Sequence, residues 1–184
     1  LIGLGIVTGV ALRGVADGTI PLLLVAGGAL YVAALDGVES MAQEADHPGR
    51  SEALPRPIGD LLIRHLGVGA LVMTFVALVG AAVAVAMAPS VGALGVAAIA
   101  VPPAALAAAA GGALSVLQGI QEPSAGWDLI PPEVAGMRTA FRVGGPPVIA
   151  VIGVIPVAMA RAALDNGGDP FASAATAAVL ALIV

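Results

Sequence analysis

The stretch LGVGALVMTFVALVGAAVAVAM, Leu66–Met87, decides the fold, because it carries no charged residue over a length sufficient to cross a bilayer. A hydrocarbon core about 30 Å thick is crossed by roughly 20 apolar residues in a helix. Three further segments approach this length: Gly18–Leu35, Val91–Leu117 and Pro146–Leu164. Two shorter apolar segments, Leu1–Leu12 and Phe171–Val184, lie at the ends of the sequence. The sequence therefore predicts several membrane-spanning segments.

The overall composition agrees with an integral membrane protein. Hydrophobic residues make up 59% of the chain and charged residues 10%, and the mean hydropathy is +1.05. Backbone amides cannot stay unpaired in lipid, so the spans must be helices or a closed barrel, and continuous apolar runs favour helices. We predict a single all-α polytopic transmembrane helix bundle over residues 1–184. It should have about five to six spans, with both ends truncated within spans of a larger chain.

Several classes of function are excluded by composition. The chain has no cysteine, which excludes disulfides and thiolate metal sites. All seven basic residues are arginine, the net charge is −5, and no basic stripe is available to neutralise phosphates. We therefore expect the lipid bilayer as a partner and no nucleic acid, and we predict no catalytic motif, metal site or cofactor.

The distribution of arginine predicts the topology. The connections 36–65 and 118–145 hold five of the seven arginines: Arg50, Arg56, Arg64, Arg138 and Arg142. The other connections hold only Arg13 and Arg161. Because arginine-rich loops stay on the cytoplasmic side, we predict that 36–65 and 118–145 are cytoplasmic in a multi-pass protein of the inner (plasma) membrane.

Three prolines within the apolar segments are predicted to kink or break their helices. Pro102, Pro103 and Pro156 each remove an intrahelical hydrogen bond. Kinked helices line cavities in many transporters, and they also occur in membrane proteins that transport nothing. No ionisable residue lies in the middle of a predicted span, which argues against a proton-coupled or ion-coupled carrier.

The connection 36–65 is the most polar part of the chain. Its first part is expected to continue the preceding helix to about His47, where Pro48-Gly49 ends it, and Gly59–His65 is expected to start the next helix. Four carboxylates and an imidazole precede this break: Asp36, Glu39, Glu44, Asp46 and His47. They indicate either a solvated acidic face or, alternatively, a metal-dependent active site at the membrane surface.

The connection 118–145 is expected to contain a short helix of its own. Proline is favoured at the first helical position and an acid in the first turn, so Pro131-Pro132-Glu133 indicates a helix start. Arg138 and Arg142 are four residues apart and should share a face of this helix. They could bind lipid headgroups, bind the acids of a partner, or anchor the helix at the interface.

Residues 46–65 resemble the cytoplasmic loop of ABC-2-type exporter permeases. In that family an arginine is followed by a short run to Leu-Pro and then by the next long helix, and here Arg50, Leu54, Pro55 and Pro57 occupy those places. The resemblance implies a loop that docks on a separate ATPase. The chain itself has no G-x-x-x-x-G-K-[ST] sequence and no lysine, so any ATP hydrolysis must occur on another polypeptide.

These observations leave three hypotheses open. The first is a permease subunit of an ABC-type exporter, alone or in a homo- or hetero-oligomer, whose predicted coupling residues are Arg50, Leu54, Pro55, Pro57, Ile58, Leu61 and Leu62. Helical spacing places the last three on one face, which would enter a groove of the ATPase or lie on the bilayer or neighbouring spans. The second is a membrane-embedded metal-dependent transferase that uses the acids of 36–65. The third is a structural subunit of a membrane complex without transport activity.

Overall fold

The computed structural model describes residues 1–46, 58–120 and 132–183, and these residues form seven α-helices and no strand. In chain order the helices are α1 (Ile2–Ala16), α2 (Leu22–Gly37), α3 (Glu39–Asp46), α4 (Ile58–Met87), α5 (Val91–Ile120), α6 (Pro132–Asp165) and α7 (Pro170–Ile183). The prediction of an all-α fold is confirmed for the described part of the chain.

Three of the helices are long and apolar enough to cross a membrane. They are α4, α5 and α6, with 30, 30 and 34 residues. The helices α1, α2 and α7 are equally apolar but have only 15, 16 and 14 residues. At a rise of about 1.5 Å per residue they are shorter than a hydrocarbon core of about 30 Å. A count of five to six spans therefore stays a prediction.

Short connections join the helices at one end of the bundle, which we call the short-turn end. These connections are residues 17–21, 88–90 and 166–169. Two of them contain a glycine in the left-handed region, Gly18 with φ +103° and Gly167 with φ +68°, a conformation that side chains disfavour. In the third, the Ser90 hydroxyl accepts a 3.0 Å hydrogen bond from the Ala93 amide and caps α5.

The opposite end, which we call the α3 end, differs from expectation in two places. The helix that precedes 36–65 does not continue to His47, since α2 ends at Gly37 and α3 begins at Glu39. Val38 between them is fully buried, as is Met41 on α3, and both side chains lie in one apolar cluster with Ala113. The short helix expected after Pro131 is instead the first part of α6, which continues without interruption to Asp165.

Prolines lie inside the long helices without ending them. The helix α5 continues through Pro102 and Pro103, and α6 continues through Pro156. Because proline has no amide hydrogen, the carbonyl groups of Ala98 and Ile99 lack their usual partner four residues later. Backbone groups of this kind are tolerated in membrane helices where neighbouring helices pack closely. The size of any kink stays a prediction.

The core consists mainly of alanine around a few larger side chains. Leu30, Met73 and Val76 are fully buried at its centre, and the surrounding buried residues are mostly alanines of α2, α5 and α6. Glycines allow still closer contact: a β-carbon on Gly9 would lie 2.4 Å from the Gly80 carbonyl oxygen. Small residues at these crossings bring helix backbones together, which is the main source of helix association in lipid.

Candidate functional sites at the two ends of the bundle

Helix α3 is fixed to the bundle by a small apolar cluster. Val38 and Met41 are fully buried and pack with Ala113 of α5. Partly buried side chains of α4 and α5 complete the cluster: Leu62, Leu66 and Val116. A displacement of α3 would therefore be transmitted directly to two of the three long helices.

The opposite face of α3 is polar, acidic and exposed. Asp36, Glu39, Ser40 and Asp46 are all exposed, and the Gln43 amide donates a 3.2 Å hydrogen bond to the Glu39 carboxylate. No basic residue occurs in the last turn of α3. The exposed surface formed by these residues, which we call the acidic α3 face, is suited to contact a basic protein surface or solvent.

Two polar contacts join the helices near the α3 end. The hydroxyl groups of Tyr31 on α2 and Ser115 on α5 are 2.8 Å apart. Arg142 of α6 donates to the carbonyl oxygen of Gln118 near the end of α5, where the last carbonyls of a helix have no partner within it. Arg142 thus has a structural contact, and the side chain of Arg138 is exposed.

The structure describes only some of the predicted coupling residues. Four of them lie outside the described residues: Arg50, Leu54, Pro55 and Pro57. Ile58 and Leu61 lie in the first turn of α4, but their side chains are outside the described part. The side chain of Leu62 packs against the α3 cluster within the chain itself. Two environments were expected for this face: a groove of the ATPase, or the bilayer and neighbouring spans. Leu62 contacts neighbouring helices of its own chain.

The acids of 36–46 do not form a metal site with other described residues. Within residues 1–46, 58–120 and 132–183, no group of three His, Cys, Asp or Glu side chains is placed to hold a metal ion. His47 lies outside these residues. Asp36, Glu39 and Asp46 are instead exposed on α2 and α3, and Glu44 is half-buried.

A cavity of about 300 Å³ lies at the short-turn end. Its interior is formed by apolar side chains of α2, α4, α5 and α6, among them Leu30, Ala77, Ala104 and Val154. The hydroxyl of Thr8, which also lines it, already donates to the Leu4 carbonyl oxygen at 2.9 Å. The interior therefore offers a ligand an almost wholly apolar environment.

Two arginines stand at the polar rim of this cavity. Arg13 pairs with Asp17 through its guanidinium, and Arg161 pairs with Asp165 at 2.7 Å. The arginine side chains are 27% and 34% exposed, and the aspartates 53% and 54%. Both arginines are among the residues that line the cavity, and neither aspartate is.

Sequence reasoning missed both α3 as a separate helix and this cavity. The cavity has a signal in the sequence: Arg-x-x-x-Asp occurs three times, and two of these copies, Arg13–Asp17 and Arg161–Asp165, end a helix that precedes a short turn. The signal for α3 is weaker, because the sequence does not distinguish a valine between two helices from a valine within one continuous helix.

Comparison with known proteins provides no family assignment, since no family model, curated protein or solved structure matches the chain.

Proposed function

We propose that the chain is a membrane-spanning permease subunit of an ABC-type exporter, coupled through residues 36–65 to a separate ATPase. The observation that carries the proposal is α3, a short helix whose buried side contacts α4 and α5 and whose other side is acidic and exposed. Such a helix can bind a partner on one side and transmit its movement to the long helices on the other.

The residues that we assign to the ATPase contact differ from those expected from the sequence. Leu62 is engaged inside the bundle, so the acidic α3 face, together with Arg50 and Leu54–Pro57, is the surface we assign to the ATPase. An acidic surface favours a basic groove on the partner and speeds its association. The absence of lysine from the chain agrees with hydrolysis on another polypeptide, because the phosphate-binding loop of such ATPases requires one.

Photocrosslinking in cells tests this proposal. A benzophenone amino acid at Ser40, which is exposed on α3, should crosslink to a polypeptide whose sequence contains G-x-x-x-x-G-K-[ST]. The matched control is the same amino acid at Ser90, which is exposed at the short-turn end and should give no such product. Mass spectrometry identifies the crosslinked protein.

A charge reversal makes the test specific for the acidic α3 face. Glu39→Lys should reduce the Ser40 crosslink, whereas Asp169→Lys, which changes an exposed acid at the short-turn end, should leave it in place. If Ser40 crosslinks only to proteins without the phosphate-binding sequence, the exporter proposal is wrong. A structural subunit of a membrane complex would then be the better interpretation.

A further inference from the structure

We propose that the cavity at the short-turn end binds one acyl chain of an anionic phospholipid, with the phosphate held between Arg13 and Arg161. This inference concerns the end of the bundle opposite to α3, and it does not depend on coupling to an ATPase.

The interior of the cavity matches a hydrocarbon chain and little else. Its deeper walls are alanine, valine and leucine side chains, and the one hydroxyl among them has its partner within α1. A volume of about 300 Å³ is at the small end of ligand pockets, which suits a single chain better than a bulky ring system. A polar solute would lose its hydration there without gaining hydrogen bonds.

The rim of the cavity supplies the complementary charge. Arg13 and Arg161 come from different helices, α1 and α6, and both residues line the same cavity. A guanidinium has five donors, and each aspartate uses only some of them. The Nε of Arg161 is buried and has no hydrogen-bond partner among the described residues. The terminal guanidinium nitrogens of an arginine favour a phosphate, which can accept two parallel hydrogen bonds.

The N-terminus of α5 also favours an anion at the rim of the cavity. Ser90 and Gly92 line the cavity at the N-terminus of α5, which is the positive end of the helix dipole. A phosphate at the rim would thus meet two arginines and a helix N-terminus, and no carboxylate is among the described residues that line the cavity. The combination of an apolar interior and a cationic rim selects an anionic amphiphile over a neutral lipid or a small anion.

Native mass spectrometry of the purified chain in a neutral detergent tests the site. The probes are dioleoyl phosphatidylglycerol, dioleoyl phosphatidylcholine and glycerol 3-phosphate. We expect one phosphatidylglycerol to bind at a concentration at least about tenfold lower than phosphatidylcholine, because the quaternary ammonium group of phosphatidylcholine would lie near the two arginines and offset the attraction of its phosphate. Glycerol 3-phosphate, which has the charge without the chain, should not compete.

Paired variants separate the two halves of the site. Arg161→Gln should weaken phosphatidylglycerol binding about tenfold and remove its advantage over phosphatidylcholine. Arg64→Gln removes the same charge from an exposed residue of α4 and should leave the binding of both lipids unchanged. Ala97→Phe fills the cavity and should prevent binding of both lipids, whereas Ala98→Phe, exposed on the same helix, should not.

Three outcomes would overturn the assignment. These are equal binding of the two lipids by the unaltered chain, competition by glycerol 3-phosphate, and unchanged binding in a folded Ala97→Phe variant. The first two need no substitution, so the proposal stays falsifiable even if the arginine variant fails to fold. Circular dichroism of each variant establishes whether its helices are intact.

Discussion

Substitution of Gly27 by alanine should weaken the contact between α2 and α6, whereas the same change at Gly28 should not. A β-carbon at Gly27 would lie 2.6 Å from the Cα and 2.5 Å from the Cγ2 of Val151 on α6. A new side-chain rotamer of Val151 can remove the second contact but not the first. At Gly28, the next residue of the same helix, nothing lies within 4 Å of the added carbon.

The magnitude follows from the distance to the Val151 backbone. Carbon atoms pack at about 3.5–4.0 Å, so α2 and α6 must separate by about 1 Å to admit the new carbon. Overpacking of this kind costs about 1–3 kcal/mol, and contacts elsewhere along the crossing are weakened when the helices move apart. Replacement of glycine by alanine within a helix also raises the free energy of unfolding by about 0.5–1 kcal/mol, but this stabilisation is common to both variants. We therefore expect Gly27→Ala to be less stable than Gly28→Ala by about 1–3 kcal/mol.

Equilibrium unfolding in mixed micelles measures this difference. The purified variants are titrated with sodium dodecyl sulfate, and the loss of helical circular dichroism gives the free energy of unfolding for each. Equal free energies for Gly27→Ala and Gly28→Ala would refute the close α2–α6 crossing, and with it the packing that defines the core.

Two further predictions concern the α3 end. Met41→Ala removes a fully buried side chain and should lower the free energy of unfolding by about 2–5 kcal/mol, whereas Met87→Ala, 55% exposed, should cost much less in the same titration. Tyr31→Phe removes the 2.8 Å hydrogen bond to Ser115 and should cost about 0.6 kcal/mol, the average for such bonds within membrane proteins. The double variant with Ser115→Ala should then cost little more than Tyr31→Phe alone; additive losses would show that the two hydroxyl groups do not interact.

The long helices were predictable from sequence because their signal is local. Leu66–Met87 and Val91–Leu117 correspond closely to the apolar parts of α4 and α5, and the connection 88–90 was found with the expected bounds. Lipid requires a backbone to satisfy its own hydrogen bonds, so a continuous apolar run leaves few alternatives to a helix.

Features set by contacts between helices were not predictable in this way. The turn at Val38 exists because its side chain and that of Met41 pack against α4 and α5, and a single sequence does not specify those partners. The continuity of α6 through Pro146 and Pro147 also depends on its surroundings, since proline disfavours a helix interior in isolation. The cavity requires Arg13 and Arg161, far apart in sequence, to meet at one end.

The ATPase proposal requires α3 to lie in the cytoplasm, as the arginine distribution predicts, and the short-turn end then lies on the other side of the membrane. The chain has no cysteine, so single cysteines can be introduced without background labelling. Ser40→Cys on α3 and Ser90→Cys at the short-turn end are both exposed. In intact cells, a membrane-impermeant maleimide should label Ser90→Cys and reach Ser40→Cys only after permeabilisation. Labelling of Ser40→Cys in intact cells would contradict the proposed orientation and the ATPase contact that depends on it.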